Sequence, residues 1–296
     1  PVIMQPPALG PQRQMSYDHP PLRAKDRIAD AALGLVLSLL MALPYAWLVR
    51  FCGWAFAWVV APLNGARKKA ERNLRRTLPD LPAAEMRRLL RAVPANVGRT
   101  MVELASGADF LAHAGKSPVT GAGLDAVIAA QQAGRGVILV SGHFGNYDVS
   151  RVVMAARGMP VGGLYQVPLN PLIHARYVAA ISQYGTPVFP RGRRGLAHLV
   201  RHLRGGGIAG MLIDWHMDHG ADLRFFGRPA QTALSAAELA LKYDLLLVPV
   251  YGLRQPDGFS FELVVEEPLP HTTPAAMTQA LNDSLEAMTR RNLEQW

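Results

Sequence analysis

Beyond Gly121 the chain alternates between short apolar runs and longer amphipathic stretches. The period-two and apolar runs predict strands at 137–141, 161–165, 187–189, 208–213, 245–251 and 259–265. Between them, apolar positions recurring every three to four residues predict helices at 147–157, 171–184, 195–204, 233–243 and from 274 onward. Such alternation predicts an α/β domain, with a mixed, mainly parallel sheet flanked by helices on both faces. Upstream, 73–79 and 83–106 read as helices punctuated by Pro79, Pro82 and Pro94. Pro94 is expected to kink or end the second of them, because it has no N–H to donate.

The first quarter has a different pattern. Residues 31–49, AALGLVLSLLMALPYAWLV, carry no charge and lie between Asp30 and Arg50. As a helix that stretch has about the length needed to cross a bilayer core of roughly 30 Å. A second apolar stretch at 51–66 contains Trp54 and Trp58, and RKKAERNLRR follows at 67–76. Indoles followed by clustered cations suit a membrane interface. A signal peptide would need a small-residue cleavage site, and a core helix leaves the basic run without a role. The chain is therefore divided into an irregular, Pro-rich tail at 1–26, a membrane anchor or interfacial hairpin at 27–66 and a globular domain at 67–296.

Composition narrows the partners. Lys and Arg total 31 against 22 Asp and Glu, a net charge of +9, so the surface should attract anions: nucleic acid, anionic membrane, phosphorylated lipid or an acidic carrier protein. Half of the residues are hydrophobic, which favours a membrane surface. Nucleic acid lacks support, since no zinc-finger spacing or base-stacking motif occurs. Cys52 is the single cysteine, so no internal disulfide is possible.

The candidate chemistry sits at VSGHFGNYDVS, residues 140–150, where His143 and Asp148 are separated by four residues just past a buried strand. Functional groups in open α/β sheets collect beyond the carboxyl ends of strands. Asp148, in the first turn of the next helix, is expected to reach back to the imidazole, fix its tautomer and raise its basicity. His143 would then take a proton from a hydroxyl. The backbone N–H groups of Gly145 and Asn146 are candidate oxyanion donors. A purely structural or capping role for the His–Asp pair is the alternative. Another alternative is Asp214-Trp215-His216-Met217-Asp218-His219, close to the zinc-binding array of metallo-β-lactamase-like hydrolases. RGRRG at 191–195, with Arg201 and Arg204, suits lipid phosphates or an acidic carrier, although a solvated helix face explains any one of these arginines as well.

Several motifs in one order carry a resemblance: ERNLRRTLPDLPAAE, NVGRTMVEL, SGHFGNYDVS, LYQVPLNPLI, GMLIDWHMDHG and LRFFGRPAQTALSAAELA. Together they resemble the lipid A biosynthesis lauroyl/myristoyl acyltransferases, from about residue 30 to the end. The resemblance implies a glycerolipid-acyltransferase-like fold with an N-terminal membrane-associated segment, anchored at the cytoplasmic face of a bacterial inner membrane. It implies transfer of a fatty acyl chain from acyl carrier protein, or less often coenzyme A, to a hydroxyl of a membrane lipid, with no cofactor and no metal. His143 matches the family's catalytic base and Asp148 its acidic partner. Tyr165, Gln166, Asn170, Arg191 and Asp214 fall in substrate-binding segments, and Phe225, Phe226, Gly227 and Thr232 match a site-shaping loop. Three departures stand out: Trp215 follows Asp214 where Gln is usual, and Gln166 and Ile181 replace arginines. The last two leave open whether the acceptor is a phosphorylated lipid A precursor or another hydroxylated lipid. The family also continues past the position of Trp296 into a basic segment, so the ending is expected to be truncated or different.

Overall fold

A computed structural model describes residues 21–215 and 217–296; most of the predicted tail, residues 1–20, lies outside them. Its centre is a seven-stranded sheet. The strands are β1 (Val119–Thr120), β2 (Val137–Ser141), β3 (Val161–Tyr165), β4 (Val188–Pro190), β5 (Ile208–Leu212), β8 (Leu246–Arg254) and β9 (Phe261–Val265), in the order β1-β9-β8-β2-β5-β3-β4. Every neighbouring pair is parallel except β8 and β9. The mainly parallel α/β sheet expected from the alternation is present. β2 is buried along its whole length, as a strand covered on both faces must be. Its side chains alternate: Val137 and Leu139 join Val149, Val152, Val153 and Phe110 on one face, while Ile138 and Val140 join Leu199, Leu203, Ala237 and Leu281 on the other. Two cores therefore clamp the strand that leads to His143.

Four features depart from the pattern reading. β1 is too short to register as a run. Residues around the FFG motif form a separate antiparallel hairpin, β6 (Ala221–Phe225) and β7 (Arg228–Thr232), closed by Phe226 and Gly227 at φ 50° and 68°. Two consecutive left-handed residues match the twist of a tight hairpin, whereas the sequence suggested a loop. Of the two outcomes expected at Pro94, ending the helix does not occur: the helix continues over Ala83–Ala105 with Pro94 buried, its packing overriding the local propensity.

The fourth departure is the apolar N-terminal stretch. It breaks at Pro44, with one helix over Ala24–Leu40 and a new one starting at Tyr45. Proline disfavours a helical residue before it and suits the start of a helix. Among the described residues the helix long and apolar enough to cross a membrane is thus Tyr45–Leu63, one third of it buried, and not 31–49. It winds as a π-helix over Phe56–Val60. Leu48, Val49 and Cys52 pack against Val102 of the long helix, while Trp47, Phe51, Trp54 and Leu63 are exposed.

Candidate active site

The parallel register between β2 and β5 builds the site. Ser141 is level with Leu212, and the Ile213 N–H extends the ladder to the Ser141 carbonyl at 3.1 Å. Two residues further along each strand, His143 and Asp214 emerge side by side at the carboxyl edge of the sheet. Asp214 grips the histidine twice: Oδ2 accepts the His143 backbone N–H at 2.7 Å, and Oδ1 lies 2.8 Å from Nδ1. The carboxylate is 8% exposed and the imidazole 46%, so a buried acid holds an accessible ring. Burial pulls the imidazole pKa down, but the hydrogen bond and charge of Asp214 outweigh it and leave the pKa above the usual value. Nδ1 is occupied, so Nε2 is the nitrogen presented outward. Tyr147 and Trp215 stand edge-on to the ring, with centroids 5.4 Å and 6.0 Å away.

Asp148 does not hold the imidazole, contrary to the sequence expectation. Its carboxylate pairs with Arg151 at 3.1 Å, both side chains 8% exposed, and Arg151 also donates to the carbonyls of Ile181 and Gly185. One turn apart on the same helix end, Asp148 and Arg151 meet easily, and burial makes that arginine the more demanding partner. The pair ties the start of helix Val149–Ala155 to the segment after helix Pro171–Ser182.

The expected oxyanion donors are also committed elsewhere. Gly145 N–H donates to the Gln295 carbonyl at 2.8 Å and Asn146 N–H to the Gly252 carbonyl at 3.0 Å. Gly145 has φ 57°, and a Cβ there would lie 2.1 Å from the Gly252 oxygen, so the close approach of this turn to β8 requires glycine. Asn170 is a helix cap: its Oδ1 accepts from Leu172 and Ile173, and its Nδ2 donates to Asp26. Phe225 and Phe226 pack on Trp296 and are not among the residues lining the cleft at His143. Thr232 is buried and accepts from Asn282 at 3.1 Å. Gly145, Asn146, Asn170, Phe225, Phe226 and Thr232 therefore do not line the cleft at His143; they shape its surroundings.

That cleft has a volume of about 340 Å³ and reaches from His143 past Tyr165, Gln166 and Arg191 to Ile181 and Trp215, within the usual size range of small-molecule sites. Of the expected substrate contacts, Tyr165, Gln166 and Arg191 line it. Arg191, just past β4, forms no salt bridge with a carboxylate among the described residues; its guanidinium meets Met217 Sδ at 2.9 Å. Among the lining residues that the sequence did not single out are Arg151, Tyr177 and Met217. Burial raises the pKa of Tyr147 and pushes that of Tyr177 up to about 12, with the charge of Asp148 adding to both, so the two phenols stay neutral.

Behind the turn lies a fully buried strut. Arg254 on β8 forms a two-pronged pair with Glu103, at 2.6 and 2.7 Å. Asn96 donates to the Gly145 carbonyl and accepts from Arg254, Thr100 also donates to Gly145, and Asn146 donates to Glu103 at 2.8 Å. The NVGRTMVEL segment thus fastens the long helix to the turn after His143.

The zinc alternative loses its anchor, since both oxygens of Asp214 are engaged by His143; His216 lies outside the described residues. Among those residues no group of three or more His, Cys, Asp or Glu side chains is placed to hold a metal ion.

Known proteins with related sequences are lipid acyltransferases. The chain is 21% identical to a lipid A biosynthesis acyltransferase of Haemophilus influenzae, over 89% of its own length and 84% of the relative's. It is 25% identical to a phosphatidylinositol mannoside acyltransferase of Mycobacterium tuberculosis, over 54% of this chain and 52% of that one. A protein of the same name from Mycolicibacterium smegmatis matches at 25% over 77% of this chain and 76% of its own. The profile of the family described as bacterial lipid A biosynthesis acyltransferase matches residues 19–296, nearly the whole chain, and the protein belongs to that family.

Proposed function

We propose that this protein is an O-acyltransferase that moves a fatty acyl chain from a thioester donor, acyl carrier protein or coenzyme A, to a hydroxyl of a membrane lipid, with a lipid A precursor as the first candidate. The observation that supports it best is the His143–Asp214 pair at the mouth of a cleft with substantial apolar walls. In the reaction, the acceptor hydroxyl gives its proton to His143 Nε2 while its oxygen attacks the thioester carbonyl. Asp214 stabilises the imidazolium that forms. When the tetrahedral intermediate collapses, the C–S bond breaks and the departing thiolate takes the proton back, leaving an ester and a free thiol. No covalent acyl-enzyme is required.

Arg191 favours a phosphorylated acceptor, because an arginine without a carboxylate partner offers a paired set of donors to phosphate. Gln166 and Ile181, standing where the family has arginines, favour a second reading in which the acceptor is another hydroxylated lipid or glycolipid; the mannoside acyltransferase relatives point the same way. The work site is the cytoplasmic face of the inner membrane, reached through the apolar N-terminal helices and the anionic bilayer surface. His143→Ala is expected to lower turnover of acyl carrier thioester and lipid acceptor by about 10²-fold or more, with its thermal midpoint kept. Near-normal turnover by a folded variant would remove the mechanism. Mass spectrometry of lipids from cells with and without the protein would identify the acceptor and the acyl group together.

A further inference from the structure

A second cleft, sharing no lining residue with the one at His143, lies between helix Tyr45–Leu63 and helix Ala83–Ala105. Its volume is about 600 Å³, and its walls carry Arg50, Arg87, Arg91 and Arg99 beside Trp54 and Trp58. Arg87 and Arg91 are one turn apart on the long helix, and Arg99, about two turns further on, lines the same cleft. Ala84, Ala92 and Ala95 between them leave the space open. Opposite, Gly53 lets the helices close up: a Cβ there would lie 2.8 Å from Arg99 Nε.

Charge in this cleft is unbalanced. Arg88 is neutralised by Glu85 and Glu294, but among the described residues none of Arg50, Arg87 and Arg91 forms a salt bridge, and Arg99 feels only the charge of Glu103, which Arg254 already pairs. Arg91 lies over the Trp58 ring at 4.6 Å and Arg50 over Phe259 at 5.9 Å. Arg99 Nε is shut off from solvent and has no hydrogen-bond partner. Four cations gathered around a concavity, one with an orphaned donor, call for an anion.

We propose that this cleft binds the phosphate of an anionic membrane lipid, separately from the acyl-transfer site. The surroundings favour a lipid over an acidic protein. Trp54 and Trp58 are exposed at its edge, and the same helix presents Trp47, Phe51 and Leu63 to solvent, an apolar face with indoles and cations at one level, as at a headgroup boundary. The proposal does not rest on the acyltransferase reading.

The test uses the full chain, with flotation on phosphatidylcholine vesicles with and without phosphatidylglycerol. Arg87→Gln/Arg91→Gln, both exposed, should weaken binding to the phosphatidylglycerol vesicles by about tenfold or more while leaving binding to neutral vesicles and the thermal midpoint unchanged. A control pair in the exposed basic run, Arg72→Gln/Arg76→Gln, should change it less than about threefold. Equal losses in both pairs mean diffuse surface attraction and overturn the proposal. Unaltered vesicle binding in the first pair overturns it too.

Discussion

Two aspartates flank His143 and hold different things. Asp214 holds the imidazole, whereas Asp148 holds a buried guanidinium, and their substitutions should separate accordingly. With Asp214→Asn the raising influence on the histidine is lost and only desolvation remains, so its pKa falls. The wild-type rate should therefore decline with acid through a pKa above the ordinary imidazole value of about 6.5, and the variant's acid limb should move to lower pH at a reduced plateau; pH–rate profiles of the two proteins check this. Asp148→Asn instead leaves Arg151 without its counter-charge in a buried setting. It should cost about 3 kcal/mol of stability, read by urea unfolding, with no shift of the pH profile. If Asp148→Asn moves the acid limb and Asp214→Asn does not, the assignment of the pair is reversed.

Among the elements, the turn from β2 into helix Val149–Ala155 depends on contacts made from behind. Gly145→Ala combines a left-handed backbone with a Cβ driven into the Gly252 carbonyl, and should lower the unfolding free energy by at least 1–3 kcal/mol. Glu103→Ala should cost about 3–5 kcal/mol, because Arg254 is left as an unpaired buried charge. Denaturant titration measures both. The motifs at these places were legible: the HX4D pair, the glycines and the NVGRTMVEL segment all stood out as strings. What could not be read was which partner each residue meets. Asp148 is five positions from His143 and Asp214 is 71 away, and only the strand order, with β5 beside β2, makes the distant residue the neighbour. Backbone donors at Gly145 and Asn146 were consumed by β8 and the C-terminal segment for the same reason. Likewise Phe226 was visible as an aromatic, but its packing on Trp296 follows from a hairpin that a short, weakly alternating sequence does not announce.

Across the whole molecule, the globular domain and the apolar N-terminal helices are packed together and not merely linked. One face of Tyr45–Leu63 joins a buried cluster through Leu48, Val49 and Cys52, and the other is exposed. Substitutions on the two faces should therefore behave in opposite ways. Leu48→Ala should destabilise the fold by about 2–5 kcal/mol, whereas Trp47→Ser with Phe51→Ser should leave the thermal midpoint intact and release the protein from vesicles in flotation. A helix that passes the length and composition test for crossing a bilayer is thus also a wall of the folded body, which the hydropathy of the sequence by itself did not distinguish.

The pairing of β2 with β5 has a consequence in time. A growing chain that has emerged only as far as β4 already contains the histidine, yet it lacks the acid that fixes the ring, because that acid is synthesised some seventy residues later. The imidazole therefore gains the carboxylate that orients it only when β5 pairs with β2 in the middle of the sheet.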